Sequence, residues 1–120
     1  MLFRSVARSY LFFQPAHLPL SSDELSEDTV LPLTDWEAVR EALRGAYPDI
    51  QWSEDGFGRL KVDGRTVEFM LPEDDRTLSL RTSFLADTTD FVQSLCDRFG
   101  WLAFDEEPQC YQPHQPPMAA

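Results

Sequence analysis

The chain has 120 residues, enough for one domain around a single core, and 42% of them are hydrophobic, so it is globular rather than disordered. Its 21 Asp and Glu against 10 Lys and Arg give a formal net charge of -11. That sign argues against nucleic acid and anionic membranes as partners, because both need a basic footprint; it suits a basic protein partner, or solubility alone.

In chain order, Ser9 to Phe13 (SYLFF) reads as an aromatic-rich strand, buried on both faces and therefore central, and Pro15 ends it. Ala16 to Leu33 reads as a long acidic loop, tacked down by Leu18, Leu20, Leu25, Val30, Leu31 and Leu33, with one helical turn near Ser22 to Leu25. Thr34 and Glu37 form the pattern of a capping box at the start of a helix. Trp36, Val39, Leu43, Ala46 and Tyr47 make its apolar stripe. Glu37–Arg40 and Glu41–Arg44 are spaced as i,i+3 pairs on its outer side, and Pro48 stops it.

Ile50 to Trp52 reads as a short strand. Val62-Asp63-Gly64-Arg65 then carries the Asp-Gly dipeptide favoured in a two-residue hairpin turn. That turn sets a register in which Leu60 faces Val67, Gly58 faces Phe69 and Arg59 faces Glu68. Leu60, Val62, Val67 and Phe69 share the core face; Arg59, Lys61, Thr66, Glu68 and Met70 share the outer one. After an acidic turn from Pro72 to Arg76, the alternation from Thr77 to Phe84 is that of a half-buried strand, with Leu78, Leu80, Thr82 and Phe84 inward. Asp87, Thr88 or Thr89 caps a second helix with the stripe Phe91, Val92, Leu95, Cys96 and Phe99, and Gly100 supplies its left-handed end. Trp101 to Phe104 is a last short strand, followed by the acidic cluster Asp105-Glu106-Glu107. Pro108, Pro113, Pro116 and Pro117 make regular structure beyond it unexpected.

The reading is therefore a single α+β domain over 1–107 with a Pro-rich C-terminal tail over 108–120. Its architecture is a two-layer sandwich: a mostly antiparallel sheet with two helices on one face, ferredoxin-like or a variant with added strands. Truncation after Gln112 is expected to leave the melting temperature unchanged.

Chemistry-bearing motifs are sparse. The lone Gly56-Phe57-Gly58 is no phosphate loop, and Glu73-Asp74-Asp75 lacks the alternating ligands and distal Glu of a calcium loop. His17 and His114 stand singly at opposite ends of the chain, in polar settings that expose them to solvent. No cysteine has zinc-finger spacing, so no metal and no cofactor are expected. Cys96 reads as a small core residue. Cys110 lies in the tail, and no disulfide between them is indicated. No apolar run reaches the length of a membrane span. Met1 to Pro15, interrupted by Arg4 and Arg8, does not read as a signal peptide, so a cytoplasmic location is expected.

The residues Ser9-Tyr10 leading into LFF, the loop end LSEDTVLPL, the helix WEAVREAL followed by YPDIQWS, then GRLKVDG and LCDRFGWLAFD carry a resemblance. Over about Ser9 to Glu107 the chain resembles a group of small, acidic, largely uncharacterised bacterial proteins, some of them similar to toxin-immunity proteins. Gly100-Trp101 and Asp105 match that group; from Glu106 onward (EEPQCYQP) the sequence departs from it. The resemblance implies a toxin–antitoxin setting in which the chain neutralises a cognate toxin by binding, with no chemistry of its own. On that reading the partner-binding candidates are Glu73, Asp74, Asp75, Asp105, Glu106 and Glu107, with Asp23 to Asp28 as a second acidic patch that covers a basic toxin domain. The alternative is a structural or regulatory subunit that self-associates through a sheet edge, as a homodimer for example.

Overall fold

A computed structural model describes residues 8–33, 35–54, 56–62, 64–71, 78–82, 89–107 and 109–119. Among them are two α-helices and nine strands: β1 (Ser9–Pro15), β2 (Val30–Pro32), α1 (Trp36–Ala46), β3 (Gln51–Trp52), β4 (Phe57–Val62), β5 (Arg65–Met70), β6 (Leu78–Thr82), α2 (Thr89–Phe99), β7 (Leu102–Phe104), β8 (Gln109–Gln112) and β9 (Gln115–Ala119). The strands form one antiparallel sheet in the order β3-β4-β5-β6-β1-β7-β8-β9, and β2 pairs with β1 at Phe13 to Pro15, beyond the reach of β6. The central order β7-β1-β6-β5, with α1 and α2 in the crossovers, is that of a ferredoxin-like sheet. Two strands are added at each edge.

The hairpin has the register its turn chemistry predicts: Val62 opposite Arg65, Leu60 opposite Val67, Arg59 opposite Glu68 and Gly58 opposite Phe69. Gly64 has φ +80°. A Cβ there would meet nothing within 4 Å, so the backbone angle alone requires glycine. Gly64→Val is expected to lose about 1–2 kcal/mol and lower the melting temperature by several degrees. An unchanged melt would show that the turn tolerates a different backbone.

One face of the sheet packs on both helices. Tyr10 and Phe12 of β1, Leu60, Val67, Phe69, Leu78, Leu80, Ala103 and Tyr111 join Val39 and Leu43 of α1 and Val92, Leu95 and Cys96 of α2 in a single core. Trp52 closes its edge by lying over Gly58, where a Cβ would come within 2.8 Å of the indole ring. The order of packing follows from strand alternation and from the two helical stripes.

Four local expectations are corrected. The cap of α1 is Asp35, whose carboxylate accepts the Ala38 N–H at 3.0 Å; Thr34 lies outside the described residues. Arg44 pairs with Glu41 at 3.0 Å as expected, but Arg40 lies over the Trp52 ring, 5.5 Å from its centroid. β1 is central, yet only Tyr10 and Phe12 are fully buried; Leu11, on the opposite face, is 43% exposed. The largest correction is the C-terminal segment. Residues read as a structureless tail form β8 and β9, which extend the sheet past β7. Pro113 and His114 make the connecting turn, with His114 at φ 58°, and Pro116 and Pro117 stand in the edge strand β9. An edge strand tolerates proline because half of its N–H groups have no ladder partner.

Candidate functional site

The acidic candidates fall into three places. Glu73, Asp74 and Asp75 lie outside the described residues. Asp105, Glu106 and Glu107 make the turn from β7 to β8. Asp23, Glu24, Glu27 and Asp28 are exposed on the loop from β1 to β2.

Asp105 is a turn-forming residue. Its Oδ1 accepts the backbone N–H of Glu107 at 3.0 Å and of Gln109 at 2.6 Å, and its Oδ2 accepts the Tyr111 hydroxyl at 3.0 Å. Burial, together with the Asp105 carboxylate, raises the Tyr111 phenol well above its ordinary pKa, so it stays a donor. Glu106 and Glu107 are exposed beside it.

The β1–β2 loop is anchored as its aliphatic residues lead one to expect, through Leu20, Leu25 and Val30, whereas Leu18 and Leu31 are exposed. Leu20 is 1% exposed and packs with Leu102 and Cys110 on the sheet face opposite the helices, joined by Phe13, Leu25, Val30, Phe104 and Met118. The Gln112 side chain, itself 1% exposed, clamps the loop backbone. Its Oε1 accepts the Leu20 N–H at 2.8 Å, and its Nε2 donates to the Leu20 carbonyl. Inside the loop, Ser21 Oγ lies 2.8 Å from a carboxylate oxygen of both Asp23 and Glu24 and shares its one proton between them, and the Ser26 N–H donates to Thr29 Oγ1 at 2.9 Å. The Ser21 hydroxyl is the largest cause holding Asp23 and Glu24 below their ordinary pKa values, so both stay ionised well under neutral pH. Four carboxylates are thereby presented on a loop of defined shape.

Among the described residues nothing covers the other half of that sheet face. Arg59, Lys61 and Arg81 project from β4, β6 and the hairpin edge, with Glu68 between them; Arg59 Nε lies 3.4 Å from Glu68 Oε2. Beside these charges the register aligns Phe57, Met70, Ser79 and Leu11 across four strands. Phe57 is 38% exposed. A groove of about 440 Å³ at the sheet edge runs between Gln51, Trp52, Ser53, Phe57, Arg59 and Glu68.

Cys96 and Cys110 are free and buried, and burial pushes their thiols up to about 12 and about 11, which keeps them protonated. Among the described residues no three His, Cys, Asp or Glu side chains converge as metal ligands. His17 sits 3.6 Å from Glu24, and the His114 N–H donates to Asp97 at 2.6 Å; both imidazoles are exposed. Among the described residues no helix is long and apolar enough to cross a membrane.

No protein-family model, no curated protein and no solved structure matches this chain. The Gln112 clamp carried no signal in the sequence, because a glutamine among prolines has no pattern that singles it out. The outward placing of Arg59, Lys61 and Glu68 was legible, since the hairpin register puts them on one side.

Proposed function

We propose that this chain is a non-enzymatic binding protein of the immunity type, which neutralises a basic toxin domain by direct contact. The observation that carries the reading is the fixed acidic loop: Asp23, Glu24, Glu27 and Asp28 are exposed on a backbone held by Gln112 and by the Ser21 and Thr29 hydroxyls. A preorganised acidic surface loses little entropy on binding, and its charge accelerates encounter with a basic partner. Glu106 and Glu107 are exposed acids as well, and Glu73, Asp74 and Asp75, outside the described residues, add to the net negative charge of the chain. Nothing in this mode of action requires a reactive group.

The test is association kinetics with a partner recovered by pull-down, measured for the wild type and for the Glu27→Lys, Asp28→Lys double variant. Those two side chains are exposed and leave the Ser21 network intact. The wild-type on-rate is expected to fall about tenfold or more between low and high salt, and the variant to bind slowly at both. A partner bound equally fast by both proteins at both salt levels removes the acidic loop from the mechanism.

A further inference from the structure

The sheet face opposite the helices has two halves of unlike height and unlike charge. Over β1, β7 and β8 it is covered by the loop that carries Asp23, Glu24, Glu27 and Asp28, held there by Leu20, Leu25 and Val30. Over β4, β5 and β6 no described segment covers it, and among the described residues it carries Arg59, Lys61 and Arg81 against the single carboxylate of Glu68. Among the described residues, three cations against one acid is a local reversal in a chain whose formal net charge is -11. The covered half stands proud of the bare half by about one layer, roughly 10 Å. At the join between the halves, Leu11 is 43% exposed on the central strand, and Phe57 and Met70 continue the apolar row across the bare half.

We propose that two copies of this chain dimerise through this face, each seating its acidic loop on the bare cationic half of the other. Arg59 and Arg81 lie level with Ser9 at the start of β1, and Thr29 lies against Ala16 past its end, so the opposite charges sit at diagonally opposed corners of the face. A two-fold axis between the copies, near Leu11 and perpendicular to that diagonal, exchanges them. The raised half of one copy then meets the lowered half of the other, and the contact is made twice by the same residues, as a closed isologous interface requires. Glu27 and Asp28 approach Arg59 and Arg81 of the second copy, while Leu11 and its counterpart meet near the axis. The groove beside Phe57 receives part of the loop. The sheet edges offer less: β3 has two residues, and β9 carries Pro116 and Pro117, which have no N–H to extend a ladder. The dimer covers the loop assigned above to a toxin, so the two uses compete, but neither rests on the other.

The experiment is sedimentation at about 100 µM protein in low and high salt, with two charge-reversed variants. Arg59→Glu, Arg81→Glu makes the bare half acidic; Glu27→Lys, Asp28→Lys makes the loop basic. The wild type is expected to run at twice 13.8 kDa in low salt and to dissociate in high salt. Each variant alone is expected to be monomeric, because both of its contacts pair like charges. An equimolar mixture of the two is expected to dimerise again, since both contacts are then complementary. Circular dichroism on each variant verifies that it is folded. A monomeric wild type in low salt overturns the proposal, and so does a dimer that survives in both folded variants or a mixture of them that stays monomeric.

Discussion

Ending the chain after Glu107 is expected to abolish cooperative folding. The deletion removes β8, whose Tyr111 is 2% exposed in the main core and whose Cys110 and Gln112 are buried on the other face. It also exposes Leu102 and Ala103, both fully buried, and strips α2 of the strand it packs on. Burying one large side chain is worth about 1.5–3 kcal/mol, so losing several exceeds the whole stability of an ordinary domain. The measurement is a thermal melt followed by circular dichroism, with a chain ending after Gln112 beside it. The longer chain keeps Tyr111 and the Gln112 clamp but loses Met118, which covers Leu20, Leu102 and Cys110, and the Gln112 Nε2 contact to Met118 Sδ at 3.7 Å. Its melting temperature is expected to fall by several degrees, contrary to the dispensable tail that the proline content implies. A 1–107 chain that melts cooperatively near the full-length temperature would make β8 and β9 accessory.

Replacing Gln112 by leucine, which has nearly its shape, is expected to destabilise by about 2–4 kcal/mol. The substitution leaves the N–H and the carbonyl of a residue 1% exposed without partners. Each orphaned backbone group in an apolar site loses its hydrogen bond and gains no water in return. Because the clamp joins residues 92 positions apart, its loss should also free the loop. Hydrogen exchange at Ser21 to Asp28 should rise in step with the fall in melting temperature. A variant with unchanged stability and unchanged exchange would show that the apolar contacts of Leu20 and Leu25 hold the loop unaided.

The two predictions separate what is local in this chain from what is not. The β4–β5 hairpin was legible from Asp63-Gly64 and two alternating strands, because a two-residue turn and a period of two leave one register. The helical stripes of α1 and α2, the left-handed Gly100 at φ 73° and the inward set Leu78, Leu80 and Thr82 were equally readable, since each depends on neighbours within a few residues. From these the α+β class and the antiparallel sheet follow.

What the sequence by itself could not determine is where long-range partners decide the outcome. Proline in the last residues argues against an interior strand, but β9 lies at an edge, and whether a strand is an edge is a property of the whole sheet. The acidic loop reads as tacked down because its aliphatic residues are local information, whereas the surface that holds it is made by Gln112, Leu102 and Cys110, far along the chain. Asp105 reads as a surface charge among three, and only the fold brings Gln109 and Tyr111 to its carboxylate and makes it a turn residue. The charges on the sheet face divide in the same way. Alternation alone places Arg59, Lys61 and Glu68 outward, but only the packing of the loop over β7 and β8 leaves their half of the face uncovered.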